Sequence, residues 1–191
     1  MNCSFFAYLS RMKEISRWAL MHNAVPENVQ EHSHMTAVIA HALAVIRRDV
    51  FGKDADPDAA AAAALFHDAS EILTGDMPTP VKYFTPALRE AYALVESSAA
   101  ERLLSTLPEE MRPAYEPLVR ETSPQTELVK AADKLSAYVK CLEELRVGNN
   151  EFRLAAKQTE EKLRGLRMEE VDYFMEHFIP AFQLTLDELG E

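Results

Sequence analysis

Apolar residues recur at three- and four-residue intervals along most of the chain and never settle into a sustained alternation, so the pattern predicts helices and no sheet. Phe6, Leu9, Met12, Ile15 and Leu20 carry helical spacing through residues 3–21 and predict a first helix there. Asn23-Ala24-Val25-Pro26 breaks it. Asn28, with Glu31 three positions on, has the form of a capping box and opens a helix that should run to about Arg48, with His32 in its first turn. Phe51-Gly52 and residues 54–56 form a loop, and Asp56-Pro57 reads as an N-cap followed by an N1 proline. That helix carries the small apolar run Ala59–Ala64, then Leu65-Phe66-His67-Asp68, and should stop near Gly75.

Residues 76–84 hold Pro78 and Pro80, which predict an extended loop. Thr85-Pro86 caps a long helix to about Thr106, and a short one after Pro108 should end before Pro117. Ser123-Pro124 begins a helix that carries Asp133 and ends at Gly148; Asn149 or Asn150 caps the next, to about Gly165. Residues 168–178 form an amphipathic, aromatic-rich tail that Pro180 breaks. With no repeat and no low-complexity linker, the expectation is one all-α domain over residues 1–191, a helical bundle.

Composition agrees. The chain is 48% hydrophobic with only five glycines in 191 residues, enough to bury a sizeable core. A formal net charge of −11 lacks the basic footprint of a nucleic-acid binder, so no nucleic-acid polymer is expected as partner. Any phosphate site then needs local cations. Arg11, Lys13 and Arg17 interrupt the N-terminal apolar residues, so no signal peptide is read there, and no apolar run approaches a membrane span. Cys3 and Cys141 lie far apart without CxxC spacing and read as thiols of a reducing compartment. A soluble cytoplasmic protein without membrane contact is the expectation.

The candidate chemistry lies in His32, the doublet His67-Asp68, and Asp133. Imidazoles and carboxylates together suit a divalent transition metal, and each of these residues falls on a predicted helix, so the four can converge inside a bundle. An α-helix turns about 100° per residue. His67, Asp68 and Glu71 therefore share a helix face, and His67 and Asp68 can both reach an ion between them. A His-Asp pair on a helix surface needs no ligand, but this pair ends an almost wholly apolar stretch, where buried polar groups must be satisfied. His34 and His41 fall on the face opposite His32 and read as solvent-side or packing residues; His22 and His177 have no partner at ligand spacing. Lys140 with Glu143-Glu144 reads as a solvated helix face, and the Tyr173, Phe174, Phe178 and Phe182 tail as core or dimer packing.

His32, His67-Asp68 and Asp133 match, in order, the H…HD…D pattern of HD-domain phosphohydrolases. The likeness extends further. Ile15-Ser16-Arg17-Trp18, Asn28-Val29-Gln30-Glu31-His32-Ser33, His67-Asp68-Ala69-Ser70-Glu71, Gly75-Asp76-Met77-Pro78-Thr79-Pro80-Val81-Lys82-Tyr83 and Cys141-Leu142-Glu143-Glu144 resemble the bacterial HD-domain 5′-deoxynucleotidases of the YfbR type. That resemblance covers nearly the whole chain, with Asp76–Pro80 its most specific part. It implies an all-helical, cytoplasmic homodimer that hydrolyses deoxyribonucleoside 5′-monophosphates with one divalent transition metal, such as cobalt or manganese. It further implies His32, His67, Asp68 and Asp133 as metal ligands, with His32, Asp68 and Asp133 also contacting the substrate. Glu71 would be the acid/base residue beside the attacking water, and Arg17 would orient the phosphate. Trp18 would pack near the sugar, and Asp76, Met77, Pro78 and Thr79 would line the nucleoside pocket. Met77 stands where the family often has leucine, a volume-conserving change. Another HD phosphohydrolase activity, on cyclic nucleotides or triphosphates, is the alternative, and a nucleotide-sensing module without turnover a further one; Glu71 argues against the sensor.

Overall fold

The computed structural model describes residues 3–190, so positions 1, 2 and 191 of the expected domain lie outside it. Among the described residues the secondary structure is helical, and the one β-type contact is an isolated antiparallel bridge between Ser16 and Asn28. The main helices are α1 (Phe5–Leu9), α2 (Val29–Val45), α3 (Pro57–Phe66), α4 (Glu71–Thr74), α5 (Thr79–Lys82), α6 (Pro86–Leu104), α7 (Arg112–Val119), α8 (Thr126–Arg146), α9 (Arg153–Gly165) and α10 (Glu169–His177). No helix among the described residues is long and apolar enough to cross a membrane.

The start signals work as capping chemistry predicts. The Asn28 side chain accepts from Glu31 N–H at 3.0 Å, and the Glu31 carboxylate reaches back to Asn28 N–H, closing the box that opens α2. Asp56 accepts from Ala59 N–H ahead of Pro57, and Thr85 accepts from Leu88 N–H ahead of Pro86. At the centre α2 packs against both α3 and α8, and α8 against α9. Buried Ile39, Leu43, Ala60, Ala64, Leu128, Ala132 and Leu135 form this core, and the alanines of α3 let its backbone come close to α2. A second cluster joins Phe5, Ala69, Leu103, Leu104 and Val119 under α1 and α6, where the Tyr115 ring meets Phe5 edge-on at 5.2 Å.

Four expectations are corrected. First, residues 3–21 are not one helix: after α1 and a 3₁₀ turn at Met12–Glu14 the chain extends. There Val29 N–H bonds to Ile15 O and Arg17 N–H to Glu27 O, so backbone pairing with residues 27–29 replaces helical bonds. Second, the helix after Pro57 does not reach Gly75 unbroken. His67 Nδ1 lies 2.7 Å from Ala64 O, occupying the carbonyl that a continuing helix would offer to Asp68 N–H. The chain tightens into a turn over residues 67–70 and re-forms as α4, which Gly75 ends at φ 74°, a conformation open to glycine. Third, residues 76–84 contain a short helix, α5, because Pro80 sits in its first turn, where a missing N–H costs nothing. Fourth, Pro117 lies inside α7, which continues only two residues beyond it, to Val119.

Candidate metal and phosphate site

The break after α3 shapes the site. It turns His67 and Asp68 toward the first turn of α2, so that ligand atoms of His32, His67 and Asp68 all lie within 4.8 Å of one another. His32 and His67 are buried, with ring centroids 5.4 Å apart. Asp133, on α8, is not within that tight group, but its Oδ1 is 3.0 Å from His32 Nε2. Asp68 Oδ2 sits 3.7 Å from His32 Nε2 and 3.2 Å from His67 Nε2. The four residues therefore converge, three closely and Asp133 through His32.

The donor set fits a divalent cation. His67 donates its Nδ1–H to Ala64 O, which leaves Nε2 as the atom with the available lone pair. That Nε2 is buried and faces Asp68 Oδ2 at 3.2 Å, and Glu71 Oε2 is buried without a hydrogen-bond partner among the described residues. Burial alone would lower the His67 pKa, yet the Asp68 and Asp133 carboxylates raise it to about 9. The same two carboxylates would favour a cation beside that nitrogen. For Asp133, burial is outweighed by the hydrogen bond and charge of His32, which hold the carboxylate well below its usual range. His32 Nδ1 lies 3.2 Å from Ser136 Oγ, one turn beyond Asp133. A hydroxyl can donate or accept, so it can serve either tautomer of His32.

Glu71, at the start of α4, stands beside this cluster. Burial is the main cause of its raised pKa, the charges of Asp68 and Asp76 add to it, and together they push it to about 9. Arg17 comes from the extended segment: Nη1 is 3.4 Å from Asp68 Oδ2 and Nε is 3.1 Å from Glu27 Oε2. Trp18 follows at φ 60°, its ring 5.2 Å from that of Phe152. Asp76 is half-buried after Gly75, and its pKa is raised chiefly by burial. Met77 and Pro78 are half-buried and Thr79 is exposed. A cavity of about 600 Å³ beside the cluster is walled by His67, Asp68, Glu71, Lys82, Glu121 and Asp133, among others; Arg17, Trp18 and Asp76–Thr79 lie outside its lining. Lys82 bonds Glu96 at 2.6 Å and lies over the Tyr92 ring, so it is a paired cation at that rim.

Some residues behave otherwise than their sequence context implied. Lys140 and Glu144 are not on a solvated face: both are buried and paired with each other. The α8 helix lies between α2 and α9, and its Glu144 meets the N–H groups of Ala24 and Val25, which is why so polar a face is inward. His34 and His41 are exposed, with His41 3.8 Å from Asp58, and neither joins the cluster. Glu27 and Ser136 escaped the sequence reading. Ser136 is three residues from Asp133 and shares its helix face, a signal that was legible. Glu27 lies in irregular chain before a cap, where periodicity says nothing.

The family model for proteins described as 5′-deoxynucleotidase YfbR-like matches residues 4–182. The chain is 50% identical over 190 residues to the 5′-deoxynucleotidase YfbR of Shigella boydii, an alignment covering 98% of this chain and 96% of that protein. YfbR of Escherichia coli matches with the same 50% identity and the same coverage, 98% and 96%. Among solved structures, an HD-domain phosphohydrolase from Listeria innocua superposes with a TM-score of 0.82 at 28% identity, covering 94% of this chain and 88% of that one. The chain belongs to the YfbR-like family of 5′-deoxynucleotidases.

Proposed function

We propose that this chain is a metal-dependent 5′-nucleotidase that hydrolyses deoxyribonucleoside 5′-monophosphates to deoxynucleoside and phosphate. The observation that carries the reading is the convergence of His32, His67 and Asp68 within 4.8 Å, with the Arg17 guanidinium on Asp68. Family membership supplies the substrate class.

His32, His67, Asp68 and Asp133 would hold one divalent transition ion, cobalt, manganese or a similar metal. When bound, the ion supplies Lewis acidity, polarising a phosphoryl oxygen and making water a better nucleophile at neutral pH. The remaining work falls to side chains. Arg17 Nε is engaged by Glu27 and Nη1 by Asp68, while among the described residues Nη2 has no hydrogen-bond partner. The planar Nη1/Nη2 edge matches two phosphate oxygens and would hold the phosphorus in line for attack. Glu71, with its pKa up at about 9, holds a proton at neutral pH and can pass it to the departing 5′-oxygen. Its buried, unpartnered Oε2 is the atom free to exchange protons with water or leaving group. The Trp18 ring, braced on Phe152, would form an apolar wall against the sugar, and Asp76, Met77, Pro78 and Thr79 would line the nucleoside pocket. His32, Asp68 and Asp133 would face the phosphate as well as the ion.

We further propose that the chain folds as a single unit and works as a cytoplasmic homodimer. Leu88, Leu94 and Val95 leave an apolar stretch of α6 exposed that a second copy would cover. Light scattering on the purified protein would measure the mass directly. The substrate test is phosphate release from a panel of deoxy- and ribonucleoside monophosphates, cyclic nucleotides and triphosphates at saturating cobalt. Release confined chiefly to deoxyribonucleoside 5′-monophosphates is expected. Preferential turnover of triphosphates or cyclic nucleotides would reassign the substrate, and binding without release would make the chain a sensor.

A further inference from the structure

Arg17 and Trp18 are residues of the candidate site that no helix positions. They sit in extended chain, and Trp18 has φ 60°, a left-handed conformation that a bulky side chain adopts only where its surroundings enforce it. One residue makes three contacts with this dipeptide. The Glu27 carbonyl accepts from Arg17 N–H at 3.0 Å. Its carboxylate oxygen Oε2 accepts from Arg17 Nε at 3.1 Å and from the Trp18 indole N–H at 2.9 Å. The Arg17 and Glu27 side chains are only 12% and 13% exposed, so these charge-assisted bonds are largely shielded from water.

We propose that Glu27 is a positioning residue for the reaction, a clamp that sets the direction of the Arg17 guanidinium and the orientation of the Trp18 ring. The inference rests on the reading of Arg17 as the phosphate-binding residue. By taking Nε, Glu27 holds the back of the guanidinium fork and aims its terminal nitrogens, Nη1 now on Asp68, at the cluster where a phosphate would sit. By taking the indole N–H, it fixes the ring whose face packs on Phe152.

The clamp is itself anchored. Ala24 N–H and Val25 N–H each bond the Glu144 carboxylate at 2.9 Å, a few residues ahead of Glu27. Lys140 pairs with Glu144 and donates to Val25 O, and its ammonium lies 5.5 Å above the ring of Phe152, the ring that braces Trp18. The contacts thus close a loop: α8 fixes residues 24–25, the chain carries that position to Glu27, Glu27 holds Arg17 and Trp18, and Trp18 returns to Phe152. This explains a buried lysine and glutamate on a helix face where apolar residues would pack more simply.

The experiment is a double-mutant cycle on the metal-loaded enzyme with a deoxyribonucleoside monophosphate: Glu27→Ala, Glu27→Gln, Arg17→Ala, and each Glu27 variant combined with Arg17→Ala. Glu27→Ala is expected to lower kcat/KM about 10- to 100-fold, as loss of hydrogen bonds to a charged group does, with stoichiometric metal retained. Glu27→Gln keeps one acceptor oxygen and should recover part of that loss; being isosteric, it also carries the test if Glu27→Ala does not fold. In the Arg17→Ala background either change should cost clearly less than in the wild type, because only the share that runs through Trp18 remains. Trp18 is the only tryptophan, so its emission reports the clamp alone: the maximum should shift in Glu27→Ala and stay put in Arg17→Ala. Equal losses with and without Arg17 would overturn the proposal, as would wild-type kinetics in both Glu27 variants. If Arg17→Ala is itself silent, the phosphate-binding reading of Arg17 fails first and takes the clamp with it.

Discussion

Removing the Glu144 carboxylate should unfasten the loop ahead of Glu27 at a large cost in stability. Glu144 is fully buried and accepts from Ala24 N–H and Val25 N–H at 2.9 Å each, from Asn149 Nδ2 at 2.7 Å, and from Lys140. Glu144→Ala leaves a buried ammonium beside one backbone carbonyl and strands two backbone donors. Breaking a buried pair from one side costs about 3–5 kcal/mol, a large part of the roughly 5–15 kcal/mol that a domain has in total. For a chain of this size that lowers Tm by about 6–20 °C. Replacing both partners, as Lys140→Met with Glu144→Leu, should recover much of the stability, since no charge is then left unpaired. The pH dependence has a definite sign. Burial would raise the Glu144 pKa, but the bonds from Lys140, Asn149 and the backbone N–H groups of Val25 and Ala24 draw it down to about 2. Its stabilising effect is therefore complete above the ordinary carboxylate range and lost as pH falls toward 2. Urea titrations of the wild type and these variants between pH 7 and pH 3 measure all of this. A loss under about 1 kcal/mol for Glu144→Ala at pH 7, or a wild-type stability equal at both ends, would refute the reasoning.

Glu71→Gln should keep the metal and lose about 10²- to 10⁴-fold in kcat, the range for a general acid or base; metal content falling in step with rate would make Glu71 a ligand. Arg17→Ala should lower kcat as well as raise KM if the guanidinium grips the phosphate harder in the transition state, and Arg17→Lys should rescue poorly because one ammonium cannot copy a two-pronged contact. Ser136→Ala should weaken metal binding about 10- to 100-fold by freeing the His32 ring, read by competition with a chromogenic chelator; unchanged affinity would remove the hydroxyl from that role.

The helices were legible where local chemistry decides them. Asn28 with Glu31, Asp56 with Pro57, and Thr85 with Pro86 cap α2, α3 and α6 as their sequences imply. His67 and Asp68 stood out because they end an apolar stretch, and His32 and Asp133 because they complete an ordered set of imidazoles and carboxylates on helices. What escaped was set by tertiary contact. Ile15–Trp18 has helical spacing but pairs with residues 27–29, an exchange no local propensity encodes. The turn at His67 depends on the side chain taking the Ala64 carbonyl, which a repeating 3.6-residue pattern cannot register. Lys140 and Glu144 look solvated because charge usually is; their burial follows from the loop at 24–25 folding onto α8. Glu27 lies in that same loop, and only the folded chain brings it to Arg17 and Trp18.

The central claim is that one metal, held at His32, His67, Asp68 and Asp133, enables phosphate removal from a deoxyribonucleotide. The most direct test strips the purified protein with a chelator, restores cobalt in measured steps, and follows phosphate release from a deoxyribonucleoside 5′-monophosphate beside metal content, for the wild type and Asp68→Ala. Activity should rise in proportion to bound metal and level off at one equivalent per chain, while Asp68→Ala should bind no stoichiometric metal and release no phosphate. Full turnover in the stripped protein, or full turnover with stoichiometric metal in Asp68→Ala, would contradict the account.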